Sequence, residues 1–401
     1  DIMAQKGDLL SFRPDIKVLD ATIRDGGLVN DFYFTDEFIK ALYKTNVKAG
    51  VDYMEFGYRA DKEMFDVDKF GKWKFCNDED IRAIVGDNDT DLKISIMADV
   101  GRCNYKEDIH PRDESPVDLV RVATYVNTMP AALDMIEDAY NKGYETTCNI
   151  MAISNAQEAD LDTALKMLAE TNVDGVYLVD SYGSLYPEQI RALSDKYVDA
   201  MDAAGKYVGI HAHNNQQLAF ANTIEALTNG VSFLDATMKG MGRGAGNTNT
   251  ELVMQYMNRK FNSGYDIDIV LDLIDNYIDG FHNSYEWGYS IPYFLAGSHS
   301  AHVNNISYLS AKAGIASRDI NFLLNRLDPV ERKRYDYSLL EKTYLDYQNT
   351  HCEDDSAIAS LQNALSGKDI LVLLPGHTIK TCQGQIQHFY KEKNPIVISV
   401  N

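Results

Sequence analysis

The sequence is short of basic residues. It has 38 Lys and Arg against 60 Asp and Glu, which gives a formal net charge of −22 at pH 7. Because such an acidic surface repels the phosphate backbone of DNA and RNA, we expect no nucleic-acid partner. The surface also repels anionic substrates at long range, so a carboxylate or phosphate needs a local positive site.

Long hydrophobic runs and paired cysteines are also missing. No stretch of about 18 uninterrupted apolar residues occurs, so we expect no membrane-spanning helix. The first residues do not resemble a signal peptide. The five cysteines are widely spaced and include no CxxC pair, so we expect reduced thiols and a cytoplasmic protein. They are Cys76, Cys103, Cys148, Cys352 and Cys382.

Short apolar runs alternate with amphipathic stretches through the first 260 residues. This alternation favours an α/β fold, a (β/α)8 TIM barrel, over a doubly wound sheet. The predicted strands span 17–25, 51–58, 92–100, 119–126, 145–152, 175–181, 207–213 and 233–239. The predicted helices span 35–49, 78–86, 129–142, 156–171, 187–204, 216–229 and 249–260. Only residues 104–116 lack a clear helix where one is due.

The pattern changes after the barrel region. We predict a TIM-barrel catalytic domain over 15–260 and a mainly helical extension over 261–365. The extension is a candidate cover for the barrel or contact for a homo-oligomer. Residues 366–401 contain two apolar runs around a short helix, which predicts a βαβ-like tail that begins a further α/β domain.

Two segments far apart in the chain carry the chemistry. Residues 20–27 (DATIRDGG) and 209–215 (GIHAHNN) each close an apolar run and predict a strand end. His211 and His213 lie two residues apart, so they point to the same side of their strand. Asp25 adds a carboxylate beside the positive charge of Arg24. A metal bound by two imidazoles and one carboxylate keeps open coordination positions, as a catalytic metal site requires.

The barrel predicts that these ligands converge, because catalytic groups lie where the strands end. Asn247, which ends a glycine-rich segment, is a candidate fourth ligand, with a helix N-cap as the alternative. Imidazole, carboxylate and water ligands suit Mn²⁺ or Mg²⁺, and Zn²⁺ is less favoured because no thiolate lies nearby in the sequence. Such a metal beside Arg24 suits a 2-oxo acid, whose enolate both would stabilise.

These motifs resemble a known group of proteins. Arg24-Asp25-Gly26, His211-Ala212-His213, residues 180–183 (DSYG) and residues 240–247 (GMGRGAGN) are similar to the metal-dependent TIM-barrel lyase and synthase superfamily. This group is hydroxymethylglutaryl-CoA lyase-like, and the likeness is greatest to its 4-hydroxy-2-oxovalerate aldolase branch. The resemblance implies that Asp25, His211, His213 and Asn247 bind the cation and that Arg24 stabilises a pyruvate-type enolate. It implies a small 2-oxo acid and an aldehyde as substrates.

Leu28 departs from the family pattern. The aldolases carry a catalytic histidine there, and leucine cannot move a proton, so the general base stays open. The synthases carry Glu-Gln where this chain has Gly27 and Leu28, which disfavours a Claisen-type acyl-CoA condensation of the isopropylmalate or homocitrate synthase kind. A non-catalytic, ligand-sensing barrel is a further alternative. The candidates for proton transfer are Tyr33, Tyr58, Tyr182 and the segment Tyr289–His302, with transfer through metal-bound water as the alternative.

Further candidate substrate contacts come from the second and sixth strands and from the extension. They are Glu55, Arg59, Asp180, Tyr182 and Tyr293. Glu55 is also expected to orient Arg24 through a charge-assisted hydrogen bond. Lys239 as a Schiff-base lysine is the weaker alternative beside a metal site. We therefore predict a metal-dependent aldolase or lyase that cleaves or forms a carbon–carbon bond through a 2-oxo-acid enolate.

Overall fold

A closed barrel of parallel strands forms the centre of the protein. The structure, a computed structural model, describes residues 15–351, 355–376 and 378–400. Within these residues eight strands pair in chain order and the first pairs with the eighth, which confirms the predicted (β/α)8 TIM barrel. They are β1 (Lys17–Asp20), β2 (Tyr53–Tyr58), β3 (Lys93–Asp99), β4 (Leu119–Thr124), β5 (Glu145–Ile150), β6 (Gly175–Asp180), β7 (Tyr207–Ala212) and β8 (Phe233–Ala236).

Helices alternate with these strands as the sequence predicts, because local signals set their ends. The Thr35 side chain accepts a hydrogen bond from the Phe38 amide and caps one helix, and Pro187 begins another. The stretch after β3 holds only a short helix and a 3-10 turn. The helices are α1 (Thr22–Gly26), α2 (Asp36–Ala49), α3 (Asp78–Val85), α4 (Tyr105–Asp108), α5 (Met129–Asn141), α6 (Glu158–Ala169), α7 (Pro187–Asp202), α8 (Ala219–Thr228) and α9 (Thr250–Phe261).

The first strand is shorter than predicted. The sequence predicts a strand that reaches Asp25, but β1 ends at Asp20, and Arg24 and Asp25 lie in α1. The chain turns because the Asp20 carboxylate accepts hydrogen bonds from the amide and the hydroxyl of Thr22. The placement of Asp25 at a strand end is therefore wrong by one helical turn, although Asp25 still lies beyond the C-terminal end of β1.

The barrel interior is filled in layers. Aromatic and aliphatic side chains from the first residues of their strands close the N-terminal end: Tyr53, Leu119, Tyr207 and Phe233. The rings of Tyr207 and Phe233 stack with their centroids 3.6 Å apart. Charged side chains lie further along the strands, where Glu55, Arg121 and Asp235 are buried. An apolar floor thus lies beneath a polar layer.

The chain divides into two compact units, the first ending at Tyr337 and the second beginning at Ser338. The first unit continues past the barrel with α10 (Ile267–Leu273), a π-helical turn (Ile274–Ile278), α11 (Asp279–Ser284), α12 (Ile291–Ser298), α13 (Val303–Ser310) and α14 (Ser317–Arg326). From α15 (Tyr337–His351) the chain continues through α16 (Asp355–Leu365), β9 (Ile370–Leu373), α17 (Thr378–Thr381), α18 (Gln383–Lys393) and β10 (Ile396–Ser399). Strands β9 and β10 pair in parallel, which confirms the βαβ-like tail. The domain boundaries 15–260, 261–365 and 366–401 stay a prediction.

Membrane spans and thiols can be assessed for the described residues. No helix among them is both long and apolar enough to cross a bilayer. Cys76, Cys103, Cys148 and Cys382 are free, and Cys352 lies outside the described residues. Burial raises the pKa of Cys148, in β5, to about 12, so this thiol is inert at neutral pH.

Gly57 allows a close approach that only glycine tolerates. It lies where the pairing of β2 with β3 shifts register, with φ 148°. A Cβ there would lie 2.0 Å from the Trp73 carbonyl oxygen. We expect Gly57→Ala to lower the free energy of unfolding by about 3 kcal/mol or more, measured by urea denaturation.

The control is Gly280→Ala in α11, where an added Cβ meets nothing within 4 Å. This change should leave stability unchanged or raise it by up to about 1 kcal/mol, because alanine favours helix. Equal unfolding free energies for the two variants would contradict the role assigned to Gly57.

Candidate active site

Asp25, His211 and His213 meet beyond the C-terminal ends of the strands. One nitrogen of each imidazole and one oxygen of the carboxylate all lie within 4.8 Å of one another. Oδ2 of Asp25 is 3.1 Å from Nε2 of His211 and 3.8 Å from Nε2 of His213. Asp25 comes from α1, His211 from β7 and His213 from the position just after it. Barrel closure therefore joins the residues predicted as metal ligands.

The partners of the two imidazoles determine which nitrogen carries the proton. Nδ1 of His211 is 3.0 Å from the Asp235 carboxylate, and Nδ1 of His213 is 2.9 Å from the Asp180 carbonyl oxygen. Because both oxygens are acceptors, each Nδ1–H donates, so in the neutral form of each ring Nε2 carries the lone pair on the side of Asp25. Three electron-pair donors therefore converge, which is the arrangement that binds a cation.

Two buried oxygens at this cluster have no hydrogen-bond partner among the described residues. They are Oδ1 of Asp25 and Oδ1 of Asn247, whose amide nitrogen donates to the Met241 carbonyl at 3.2 Å. Asn249, not Asn247, is the N-cap residue of α9, so the capping alternative for Asn247 is wrong. Because unpaired buried oxygens are costly, a bound cation would relieve both. The residues present fit a divalent metal.

The glycine-rich loop after β8 brings Asn247 to the cluster. A Cβ on Gly242 would lie 2.1 Å from the amide nitrogen of Asn247 and 2.9 Å from Oδ1 of Asp25. The backbones of His213 and Asn247 also form an isolated antiparallel bridge. Glycine at 242 thus allows the loop to pack directly against the carboxylate.

A closed circuit of buried charges supports the cluster. Arg24 donates from Nη1 to Asp25 at 2.6 Å and from Nε to Glu55 at 2.8 Å. Arg121 donates to Glu55 at 2.9 Å and to Asp235 at 2.6 Å. The circuit runs through Arg24, Glu55, Arg121, Asp235, His211 and Asp25. We name it the charge ring. Glu55 is therefore bonded to Arg24, as the sequence predicts.

The charge ring controls the protonation of the cluster. Burial alone would raise the pKa of Asp25, but Arg24 and the two histidines hold it well below its usual range. Burial lowers the pKa of His213 to about 4, so its ring is neutral at pH 7 and free to bind a metal. Burial also acts to lower the pKa of His211, but its hydrogen bonds to Asp235 and Asp25 outweigh burial and raise it.

Two predicted substrate contacts are held by other partners. Arg59 donates to Asp78 at 2.6 Å. The Asp180 carboxylate accepts the Ser184 amide at 3.1 Å, and burial raises its pKa to about 6. We call Asp25, His211 and His213, the candidate ligands, the metal-ligand cluster. Neither Arg59 nor Asp180 lines the cavity at this cluster, in contrast to Arg24 and the three cluster residues. Substrate binding by Arg59 and Asp180 stays a prediction.

The cavity at the cluster has a volume of about 90 Å³ and is walled in part by Leu28 and Tyr58. Burial raises the pKa of Tyr58, so its phenol is protonated at neutral pH. Tyr182 lines a neighbouring cavity instead. Tyr33 and Tyr289 are half exposed and outside both cavity walls. Tyr58 is therefore the tyrosine among the predicted set that borders this cavity.

Tyr293 and Lys239 lie away from the ligand atoms. The backbone carbonyl of Tyr293 accepts from the Asn215 side chain at 2.8 Å, and its ring lies against Gly244. The Lys239 ammonium pairs with Asp279 at 2.5 Å, and Lys239 does not line the cavity at the cluster. A substrate contact through Tyr293 stays a prediction.

Arg121, Asp235 and Lys74 are buried charges that the sequence reasoning missed. Arg121 and Asp235 are single charges in otherwise apolar strands, β4 and β8, and that pattern is the signal that could have identified them. The Lys74 ammonium lies 4.4 Å from the Phe65 ring centroid and 4.5 Å from that of Tyr58. It forms no hydrogen bond or ion pair with the described residues.

The sequence and the fold both match known proteins. A sequence model of the HMGL-like family matches residues 15–275. The chain is 27% identical over 271 residues to an oxaloacetate decarboxylase from Mycobacterium tuberculosis, which covers 64% of this chain and 74% of that protein. It is 28% identical over 261 residues to a 4-hydroxy-2-oxovalerate aldolase from Bacillus cereus, which covers 65% and 74%. The N-terminal domain of a suspected aldolase from Bacteroides vulgatus superposes with a TM-score of 0.64 at 26% identity, covering 74% of this chain and 97% of that one.

Lys74 gives the stability a pH dependence that can be measured. Burial lowers its pKa from 10.5 to about 8. Between these values the unfolded chain holds a proton that the folded chain has lost, so stability rises with pH by up to about 3 kcal/mol. We expect Lys74→Met to have a higher free energy of unfolding than the wild type at pH 7. The loss of the cation–π contacts reduces this gain, and the difference should close towards pH 10.

Urea denaturation of both proteins from pH 7 to pH 10 measures this difference. Lys69→Met, which removes an exposed lysine of the same segment, is the matched control and should follow the wild type. A Lys74→Met curve parallel to that of the wild type would show that this ammonium is not destabilised by burial.

Proposed function

The chain belongs to the HMGL-like family, and from this membership we propose that it is a divalent-metal-dependent aldolase or lyase acting through the enolate of a pyruvate-type 2-oxo acid. The convergence of lone pairs from Asp25, His211 and His213 beside Arg24 carries the proposal. The relatives named as an aldolase and as an oxaloacetate decarboxylase support it, because both reactions release pyruvate by way of its enolate.

Asp25, His211, His213 and Asn247 would hold the cation. These oxygen and nitrogen ligands suit Mn²⁺ or Mg²⁺, and Zn²⁺ is less favoured because no thiolate joins them. When bound, the cation would polarise the keto group of the 2-oxo acid and favour its enolate. The neutral ring of His213 and the ionised carboxylate of Asp25 are in the protonation states that ligands need.

Arg24 would stabilise the negative charge that develops on the keto oxygen. Its Nε and Nη1 donate to Glu55 and Asp25, which leaves Nη2 for a substrate at the cavity that Arg24 lines. A guanidinium already held in a buried site need not reorganise as the charge forms. Stabilisation by preorganised donors of this kind is usually the largest single contribution to catalysis. In cleavage, the hydroxyl loses its proton, the carbon–carbon bond breaks, and its electron pair moves to form the enolate.

Tyr58 is the proposed proton donor to the enolate carbon. It borders the cavity at the cluster, and its phenol carries a proton at pH 7, so it has a proton to deliver. The base for the opposite step is not assigned, because Leu28 stands where the aldolases carry histidine. The proposed partners are a small 2-oxo acid and an aldehyde, in a cytoplasmic protein that is a candidate homo-oligomer.

Two alternatives make different predictions. An acyl-CoA condensing enzyme would turn over acetyl-CoA, and Gly27 and Leu28 disfavour it by their departure from the Glu-Gln of the synthases. A sensing barrel would bind a 2-oxo acid without exchanging its protons. The retained Arg24 and both histidines disfavour that second alternative.

We expect loss of one metal ligand to weaken cation binding strongly. His213→Ala should raise the Kd for Mn²⁺, measured by isothermal titration calorimetry, by about 100-fold or more, because it removes a direct ligand. His388→Ala, at an exposed histidine of α18, is the matched control and should bind as the wild type does. An unchanged Kd in His213→Ala would remove this residue from the metal site.

Proton exchange tests the chemistry without knowledge of the aldehyde. We expect Mg²⁺-dependent exchange of the pyruvate methyl protons in D₂O, followed by NMR, that a chelator abolishes. Arg24→Ala should slow the exchange by about 100-fold or more, since a preorganised donor to the enolate is lost. Arg191→Ala, on the outer surface of α7, should exchange at the wild-type rate. No exchange by the metal-loaded wild type would overturn the proposed function.

A further inference from the structure

A second, larger cavity lies beside the metal-ligand cluster. Its volume is about 510 Å³, and its wall combines the loops after β4, β5 and β6 with residues 330–334 of the helical extension. Met151 lines both this cavity and the smaller one at the cluster, so the two are adjacent. The distal part of a substrate bound at the cluster therefore has room to extend into it, far more room than a two-carbon aldehyde needs.

Positive side chains border this space without carboxylate partners. Lys333 and Arg334 line the larger cavity and Arg243 lines the smaller. Within the described ranges none of the three forms an ion pair, in a chain whose net charge is −22. The larger wall also contains one carboxylate, Asp160. With Arg24 and Asp25 of the smaller wall included, four cations lie against two carboxylates, the reverse of the balance in the whole sequence.

The segment that carries Lys333 and Arg334 is held firmly in place. The buried Asn305 side chain donates to the carbonyl oxygens of Arg332 at 2.8 Å and Arg334 at 3.0 Å. The hydroxyl of Tyr182 donates to the carbonyl oxygen of Lys333 at 3.4 Å. These bonds satisfy the backbone and leave both cationic side chains free to face a ligand.

Arg243 joins the two cavities electrostatically. It lies close enough to Tyr182, which lines the larger cavity, to act against the rise in pKa that burial gives this phenol. Burial, together with Arg243 and Arg102, lowers the pKa of His302 to about 4, so His302 is neutral at pH 7 and adds no charge. Arg243 lines the smaller cavity and also acts on Tyr182 in the wall of the larger one, so its positive charge is felt at both.

We propose that the larger cavity binds the anionic end, a carboxylate or a phosphate, of the aldehyde that reacts at the metal-ligand cluster. The inference rests on the proposed function and specifies the class of its second substrate. An acidic protein repels such a molecule at long range, so recognition needs paired cations at short range. The aldehyde is charged at the end away from its reacting carbon.

The reaction itself leaves the anionic end unchanged. In the forming direction the enolate carbon of pyruvate attacks the aldehyde carbon, its electron pair becomes the new carbon–carbon bond, and the aldehyde oxygen takes up a proton. No oxidant or reductant is required. Lys333 and Arg334 would bind only the anionic end of the aldehyde, so an aldehyde without that group does not depend on them.

The test compares aldehydes that differ in charge, with pyruvate and the Mg²⁺-loaded enzyme. The probes are succinic semialdehyde, glyceraldehyde 3-phosphate and neutral butanal. We expect kcat/KM for a charged aldehyde to exceed that for butanal by about 10- to 100-fold, the value of one or two charge-assisted hydrogen bonds. Preference between the two charged probes identifies the group as carboxylate or phosphate.

The double variant Lys333→Met/Arg334→Met should lose this preference and keep the wild-type kcat/KM for butanal. Lys69→Met/Arg318→Met, which removes two exposed cations, is the matched control and should retain the preference. Equal kcat/KM for butanal and both charged aldehydes in the wild type would overturn the inference. So would an unaltered preference in the Lys333→Met/Arg334→Met protein.

Two further measurements separate this inference from the proposed function. Pyruvate proton exchange does not involve the larger cavity and should be unchanged in the double variant. Binding of inorganic phosphate and of succinate, measured by calorimetry, should be weaker by about 10-fold or more in that variant. Pyruvate proton exchange without any preference for charged aldehydes would overturn this inference and leave the proposed function standing. Absent exchange, with anion binding that the double variant weakens, overturns the proposed function and supports the anion site.

Discussion

The charge ring is the interaction on which the active end of the barrel depends. It contains the carboxylates of Asp25, Glu55 and Asp235 but only the two guanidiniums of Arg24 and Arg121, with His211 closing the circuit. With His211 neutral, the ring is one positive charge short. A buried charge is tolerated only when paired, so this imbalance demands a further cation or a proton. The raised pKa of His211 favours a proton on its ring, which would balance the charge. A metal ion bound at Asp25 would balance it instead.

The apolar floor makes this arrangement effective. The stacked side chains of Tyr207 and Phe233 close the N-terminal end of the barrel. They shield the charge ring from water on that side. Ion pairs are stronger where water is excluded, so Arg121 holds Glu55 and Asp235 in fixed positions. Those two residues in turn hold Arg24 and His211, which border the cavity. Rigidity therefore passes from the barrel interior to the groups proposed to meet substrate.

Much of the fold and part of the site follow from local patterns. Strand and helix limits lie close to the predicted ones because residues such as Thr35 and Pro187 determine them locally. The two histidines are visible as a pair because they share one strand. Arg121 was invisible because its partners lie 66 and 114 residues away, and only barrel closure brings them together. The turn after β1 depends on Asp20 and Thr22, a local signal that the apolar run obscured.

Paired and unpaired cations have different roles in this protein. Arg121 is paired with two carboxylates inside the barrel. It therefore fixes the positions of Glu55 and Asp235 and is not available to a ligand. Lys333 and Arg334 keep their charge unpaired at a cavity wall, so they can select a ligand by its charge. Arg24 lies between these cases, since two nitrogens are bound and one remains. In a chain of net charge −22, unpaired cations beside the candidate metal site are the least expected feature, and they carry the most information about the proposed substrate.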